Sequence, residues 1–94
     1  MTFFKAKTFR SPKYLEFVRT LPCVVCGAHG VEAHHAITGG VGIKGSDGFA
    51  IPLCPLHHRE HDNRGKVTFY REHNLDRWEL VARTLEKYLK EKIC

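Results

Sequence analysis

The chain has no apolar run that approaches the 18 or more residues of a membrane span, and no signal-peptide pattern opens it. Phe3 and Phe4 are followed at once by Lys5, Lys7 and Arg10, which ends any apolar segment. The expectation is a cytoplasmic protein without a membrane partner, in which a Cys-x-x-Cys pair is a metal or redox pair rather than a disulfide. Internal repeats and low-complexity tracts are absent, which excludes solenoids and disordered linkers. Acidic residues are also scarce, 10 against 15 Lys and Arg. At 94 residues there is room for one domain whose small core leaves a need for a further cross-link, and structural zinc supplies about 10–16 kcal/mol of apparent binding energy in finger peptides.

Ligand residues, by contrast, are abundant and concentrated. Six of the seven histidines and three of the four cysteines lie between residues 23 and 61. One zinc ion takes four ligands in a closed structural site, and a catalytic ion takes about three and keeps a position open. The surplus predicts two sites in one domain, one holding the fold and one doing chemistry.

The charge follows the same division. Residues 1–20 are net +4, residues 21–61 net −1, and residues 62–94 net +2. Basic flanks around a ligand-rich centre suit nucleic-acid phosphate, although a solvated basic surface gives the same count. Lys5, Lys7 and Arg10 of a basic arm over residues 1–10, Lys44 of the glycine loop and Arg59 are the candidate contacts to DNA. Gly42-Ile43-Lys44-Gly45 is not a Walker loop, because the lysine does not follow the required glycine.

Local signals predict an α+β domain. Ser11-Pro12 is a helix start, with Tyr14, Leu15, Phe17 and Val18 on one face and Pro22 as the stop. A knuckle at 23–27 precedes a short strand over 31–37. A loop over 38–48 with five glycines leads to a second strand over 49–53. A helix of about two turns begins at Pro55 and breaks near Asp62 to Gly65. A short helix over 67–73 closes at Asn74. Asp76 caps a long helix over 77–92 with Trp78, Val81, Leu85, Tyr88 and Leu89 on one side. The single domain over 1–94 thus has an arm (1–10), a core (11–76) and a C-terminal helix (77–94).

Cys23 and Cys26 offer two thiolates across a turn, and Cys54 and His57 lie three apart at a helix start, so both face one side. Together they form a Cys3His set suited to structural zinc. A redox role for Cys23 and Cys26 would require a thioredoxin-like strand and helix around them, which the sequence lacks. Cys94 stands alone as a free thiol.

His34, His35, His58 and His61 remain. His58 and His61 share a helix face. His34 and His35 are neighbours on a strand, and alternation sends them to opposite sides unless the strand ends there or the substrate lies between them. Two or three imidazoles leave an open position on a divalent ion, and a histidine left unligated can act as general base toward water attacking a phosphodiester. His29 and His73 have no partner in this scheme.

Laid out together, Pro22-Cys23-x-x-Cys26-Gly27, Ala33-His34-His35 and Ile51-Pro52-Leu53-Cys54-x-x-His57-His58-x-x-His61 resemble the HNH endonucleases of the ββα-metal superfamily. The similarity is greatest to phage and prophage recombination-associated nucleases, and it spans about residues 11–76. The resemblance implies a zinc-stabilised core in which a short hairpin packs on a helix, with flanking helices. It implies a metal-dependent DNA endonuclease that leaves 5′-phosphate and 3′-hydroxyl ends, working in a bacterial or phage-infected cell. By resemblance His34 is the first metal ligand, His35 the general base, and His58 the second ligand, with His61 completing the set. Cys23, Cys26, Cys54 and His57 hold the structural zinc, and a second ion (Mg2+, Mn2+ or Zn2+) serves catalysis. The middle Asn of the family has no clear counterpart, and Asp47 is the nearest candidate to orient the base. A recombinase filament is a partner by analogy alone. The competing expectation is a zinc-stabilised module that binds nucleic acid or protein without catalysis.

Overall fold

The computed structural model describes residues 9–37 and 45–93, so Lys5, Lys7, Lys44 and most of the basic arm and glycine loop lie outside the described residues. The described part is a small α+β fold: one two-stranded antiparallel hairpin, four α-helices and a short 3-10 turn. Helix α1 is Pro12–Val18, strand β1 Glu32–His35, strand β2 Ala50–Leu53, helix α2 Pro55–Arg64, helix α3 Lys66–Glu72 and helix α4 Arg77–Ile93. Among the described residues, no helix is long and apolar enough to cross a membrane.

Each boundary has a local cause. The Ser11 hydroxyl accepts the Tyr14 N–H at 3.1 Å and Pro12 supplies a preset φ, so α1 begins there. It ends at Val18, earlier than the Pro22 stop expected from sequence, because Thr20 N–H turns back to the Phe17 carbonyl. Helix α2 runs through Arg64 and ends within the break expected over Asp62 to Gly65. Gly65, at φ +86, accepts the corner, a conformation that favours glycine. The Asp76 carboxylate accepts the Trp78 N–H at 2.9 Å and the Glu79 N–H at 3.3 Å, capping α4 as its sequence predicts.

The strands pair Glu32 with Leu53, Ala33 with Pro52, His34 with Ile51 and His35 with Ala50. The Ala36 N–H bonds the Phe49 carbonyl at 3.0 Å, which phases the ladder so that Ala33–Pro52 is a pair without mutual bonds. Proline is therefore tolerated in β2, and its outward carbonyl takes the Val24 N–H of the knuckle at 3.0 Å. All four residues of β2 are buried, since the hairpin is covered on both faces.

Ile51 and Leu53 point into the larger core with Phe69, Tyr70, Val81, Val31 and Ala36. Ala50 points the other way, against Tyr14 and Val18 of α1. The buried positions of α4 are Val81 and Thr84, with Leu85 and Tyr88 half-buried; Trp78 is 55% and Leu89 53% exposed. This corrects the apolar side expected from sequence. Positions 81, 84, 85 and 88 make one stripe, and Leu89 lies about 40° beyond Leu85, outside its edge. Trp78 sits in the first turn, where its ring meets Phe49 edge to face at 5.7 Å.

Candidate metal centre and histidine cluster

Cys23 and Cys26 are presented by a knuckle that the backbone closes on itself. The Cys23 N–H bonds the Ala28 carbonyl and the Gly27 N–H bonds the Cys23 carbonyl, both at 2.9 Å, with Gly27 at φ +77. The Val25 N–H points at the Cys23 sulfur from 3.4 Å. Cys54 is the N-cap residue of α2 and makes no capping bond, because its thiol turns to the knuckle instead. His57, one turn on, brings its Nδ1 to 3.2 Å from the Cys54 sulfur and 3.8 Å from the Cys23 sulfur. The Cys26 and Cys54 sulfurs are 3.8 Å apart. All four ligand atoms lie within 4.8 Å of one another, and the set could hold a metal ion.

The edges fit a tetrahedral ion. Metal–sulfur bonds of about 2.3 Å and metal–nitrogen bonds of about 2.0–2.1 Å give tetrahedral edges of about 3.8 Å between sulfurs and about 3.6 Å between sulfur and nitrogen. Burial opposes ionisation of Cys23, yet the N–H groups of Cys54, Cys26 and Val25 outweigh it and bring the thiol down to about 6. At Cys26 the Ala28 N–H favours thiolate, but desolvation and the neighbouring thiols of Cys54 and Cys23 prevail and raise it. Three crowded sulfurs resist ionising together, and a cation relieves that conflict.

The remaining histidines divide by strand parity. Glu32 and His34 share the β1 face toward α2, and Ala33 and His35 share the face toward α1. On the α2 side, His34 Nδ1 is 3.1 Å from His58 Nε2, and His58 Nδ1 is 2.6 Å from a Glu32 oxygen. A carboxylate only accepts, so with Glu32 ionised His58 carries its proton on Nδ1 and presents the Nε2 lone pair toward His34. The His61 ring meets His34 edge to face at 4.3 Å, and Phe69 and Tyr70 likewise at 5.1 and 5.4 Å. His34 Nε2 and His61 Nε2 are buried without a hydrogen-bond partner. Burial, followed by the charges of His61 and His58, pushes His34 down to about 3, and burial likewise lowers His61. Both rings are thus held neutral, the form that ligates metals. His34 and His58 are brought to the separation of two ligands on one ion. Among the described residues, however, His34, His58 and His61 do not form a set whose nitrogens all lie within 4.8 Å.

On the α1 side, His35 Nε2 is 2.8 Å from Asp47 Oδ1. Asp47 is 3% exposed, in the 3-10 turn between the glycine loop and β2. Burial would raise its carboxyl, but the His35 bond, the Ser11 N–H at 2.8 Å and the Arg10 guanidinium outweigh it and hold it below the usual carboxylate range. Ionised Asp47 fixes the His35 proton on Nε2 and leaves Nδ1 to accept one. Arg10, a candidate DNA contact by sequence, bonds Asp47 at 3.3 Å and the Gly45 carbonyl at 2.5 Å. Arg59 is exposed and, with Glu32, Pro55, His58 and Asp62, lines an open cavity of about 250 Å³. A larger cavity of about 300 Å³ between α1 and α4 touches none of the histidines.

One contact corrects the sequence reading. His73 has a partner: its Nε2 lies 2.5 Å from Glu60 Oε1, and both crowd His57. Glu60 and His73 are thirteen residues apart with a helix corner between them, so spacing alone gives no sign of the pair.

The profile of a family described as "Protein of unknown function (DUF968)" matches residues 1–91. A relative in Escherichia coli (strain K12), the "Uncharacterized protein YdfU", is 41% identical over 59 residues. That match spans 60% of this chain and 17% of the relative's length. No solved structure matches the chain.

Proposed function

The chain belongs to the DUF968 family, and from the site it carries we propose that it is a metal-dependent DNA endonuclease of the HNH (ββα-metal) kind. The hairpin with α2 is the ββα-metal core, zinc is the ion on Cys23, Cys26, Cys54 and His57, and the reaction is phosphodiester hydrolysis. The observation that carries this reading is the split of adjacent histidines across β1. His34 and His58 stand with nitrogens 3.1 Å apart on one face, and His35 is locked to a buried carboxylate on the other. Strand β1 ends at His35 and is paired on one edge alone among the described residues, so a DNA backbone laid along the open edge meets both faces.

His35 takes a proton from water at Nδ1 as the water oxygen bonds to phosphorus and the bond from phosphorus to the 3′ oxygen breaks, the leaving oxygen taking its proton from solvent water. Asp47 keeps the ring in the tautomer that permits this and stabilises the resulting charge, while Ser11 and Arg10 keep Asp47 ionised and in place. Glu32 orients His58 so that its Nε2 faces His34. A divalent ion on those two nitrogens would supply positive charge for the phosphate and the leaving 3′ oxygen. Lys5, Lys7, Lys44 and Arg59 are the proposed backbone contacts to DNA, and a recombinase filament is the proposed partner by analogy alone.

The test is nicking of supercoiled plasmid in Mg2+, Mn2+ or Zn2+. Wild type is expected to nick and a chelator to stop it. His35→Ala is expected to lose about 10²–10⁴-fold in rate while keeping its fold and zinc. Full activity in that variant sinks the mechanism. A second reading, a zinc-stabilised binding module without catalysis, is favoured by the failure of His34, His58 and His61 to form a close ligand set. One tightly held zinc per chain and no nicking in any of the three metals would establish it over the first.

A further inference from the structure

Outside the proposed active site, the described residues hold a second cluster of titratable side chains, His57, Glu60 and His73, which shares only His57 with the Cys3His set. One ligand atom from each lies within 4.8 Å of the other two. His73 Nε2 is 2.5 Å from Glu60 Oε1, and the rings of His57 and His73 meet edge to face at 5.6 Å. His57 is also the one nitrogen ligand of the Cys3His set, with Nδ1 committed to the cysteines.

Two chemistries compete for such a trio. It could seat a second ion, with His57 bridging. A neutral imidazole that ligates through Nδ1 carries its proton on Nε2, and bridging would strip that proton from a ring already facing a cation. The alternative leaves the proton in place and gives it an acceptor. Glu60, with a carboxylate oxygen within 4.8 Å of a His57 ring nitrogen, is the acceptor at hand, and His73 Nε2 already holds that carboxylate in place.

We infer that Glu60, backed by His73, orients His57 on the structural metal. Glu60 fixes the proton of His57 on Nε2, keeps Nδ1 as a lone pair aimed at the cysteines, and makes that nitrogen a stronger donor. His73 is the first residue after α3, so the same bond fastens the end of α3 to the metal centre. A second link across the α2–α3 corner, Arg64 to Glu72 at 2.7 Å, is exposed and does not involve His57. It separates a role at the metal from a role in merely pinning the helices. None of this depends on whether the chain cleaves DNA.

The experiment measures metal release from the full chain loaded with zinc, or with cobalt(II) as a spectroscopic substitute, against chelators of graded affinity. Glu60→Ala and His73→Ala are expected to hold the ion about 10–100-fold more weakly. Glu60→Gln, which keeps an acceptor oxygen, should fall between these and wild type and serves if the alanine variant does not fold. Arg64→Ala should keep wild-type affinity, and every variant should still bind one ion at the Cys3His set. The cobalt absorption should shift in Glu60→Ala and not in Arg64→Ala. Wild-type affinity in both Glu60 variants would overturn the inference. So would equal weakening by Arg64→Ala, or loss of a second bound ion with the first unchanged.

Discussion

At the residue scale, the placement of protons decides what each histidine can do. Glu32 fixes the proton of His58 on Nδ1, Asp47 fixes that of His35 on Nε2, and burial leaves His34 and His61 uncharged. For His34 this has a consequence for acid stability. Its pKa is pushed down to about 3 by burial and by neighbouring histidines, while in the unfolded chain it titrates near 6.5. Below 6.5 the unfolded chain therefore binds more protons, so the stability His34 contributes is complete above that pH and is lost as pH falls toward 3. Melting temperature should drop on acidification from pH 7 to 5 less steeply in His34→Phe than in wild type, compared at equal metal content. Parallel curves would show that His34 is not held neutral. Cys54→Ala should empty the structural metal site, because two thiolates and one imidazole are an incomplete set; metal content of the purified variant tests this.

At the scale of elements, the helices are held by different means. Helix α2 has no buried residue and its one leucine, Leu56, is exposed, so its position is set by Cys54, His57 and His58 rather than by an apolar stripe. Helix α3 docks by Phe69, fully buried in the larger core, and by Tyr70. Phe69→Ala should cost about 3–5 kcal/mol, read by denaturant unfolding of the metal-loaded protein. Helix α1 depends on its cap, and Ser11→Ala should cost about 1 kcal/mol without disturbing Asp47, which is bonded by the Ser11 backbone rather than its hydroxyl. A change in the His35 ring resonances of that variant would contradict the separation. The helix starts at Pro12, Pro55 and Arg77 were legible in sequence, because capping and proline geometry are local. The buried face of α4 was less so. Trp78 and Leu89 carry the apolar character of a core stripe, but Phe49 meets the Trp78 ring only edge to face and Tyr14 packs on Tyr88, which leaves Trp78 and Leu89 exposed.

At the scale of the whole molecule, a two-stranded sheet is too small to hold four helices by itself, and the Cys3His set, which could hold a metal ion, ties the knuckle to the start of α2. Stripping the metal with a strong chelator should abolish the cooperative melting transition and much of the helical circular dichroism, and Cys23→Ala should do the same without chelator. An unchanged melting curve in either case would remove the structural role of the site. The chain's own letters determined the ligand inventory, the Cys3His spacing and the order of helix and strand, since each is fixed by chemistry within a few residues. Only the tertiary structure decided how the histidines are shared out. The register of β1 against β2 sends His34 toward α2 and His35 toward α1, and it is set by which face each core covers. The bonds of Asp47 to His35, Ser11 and Arg10, and of Glu60 to His73, join residues that only the packed chain brings within reach.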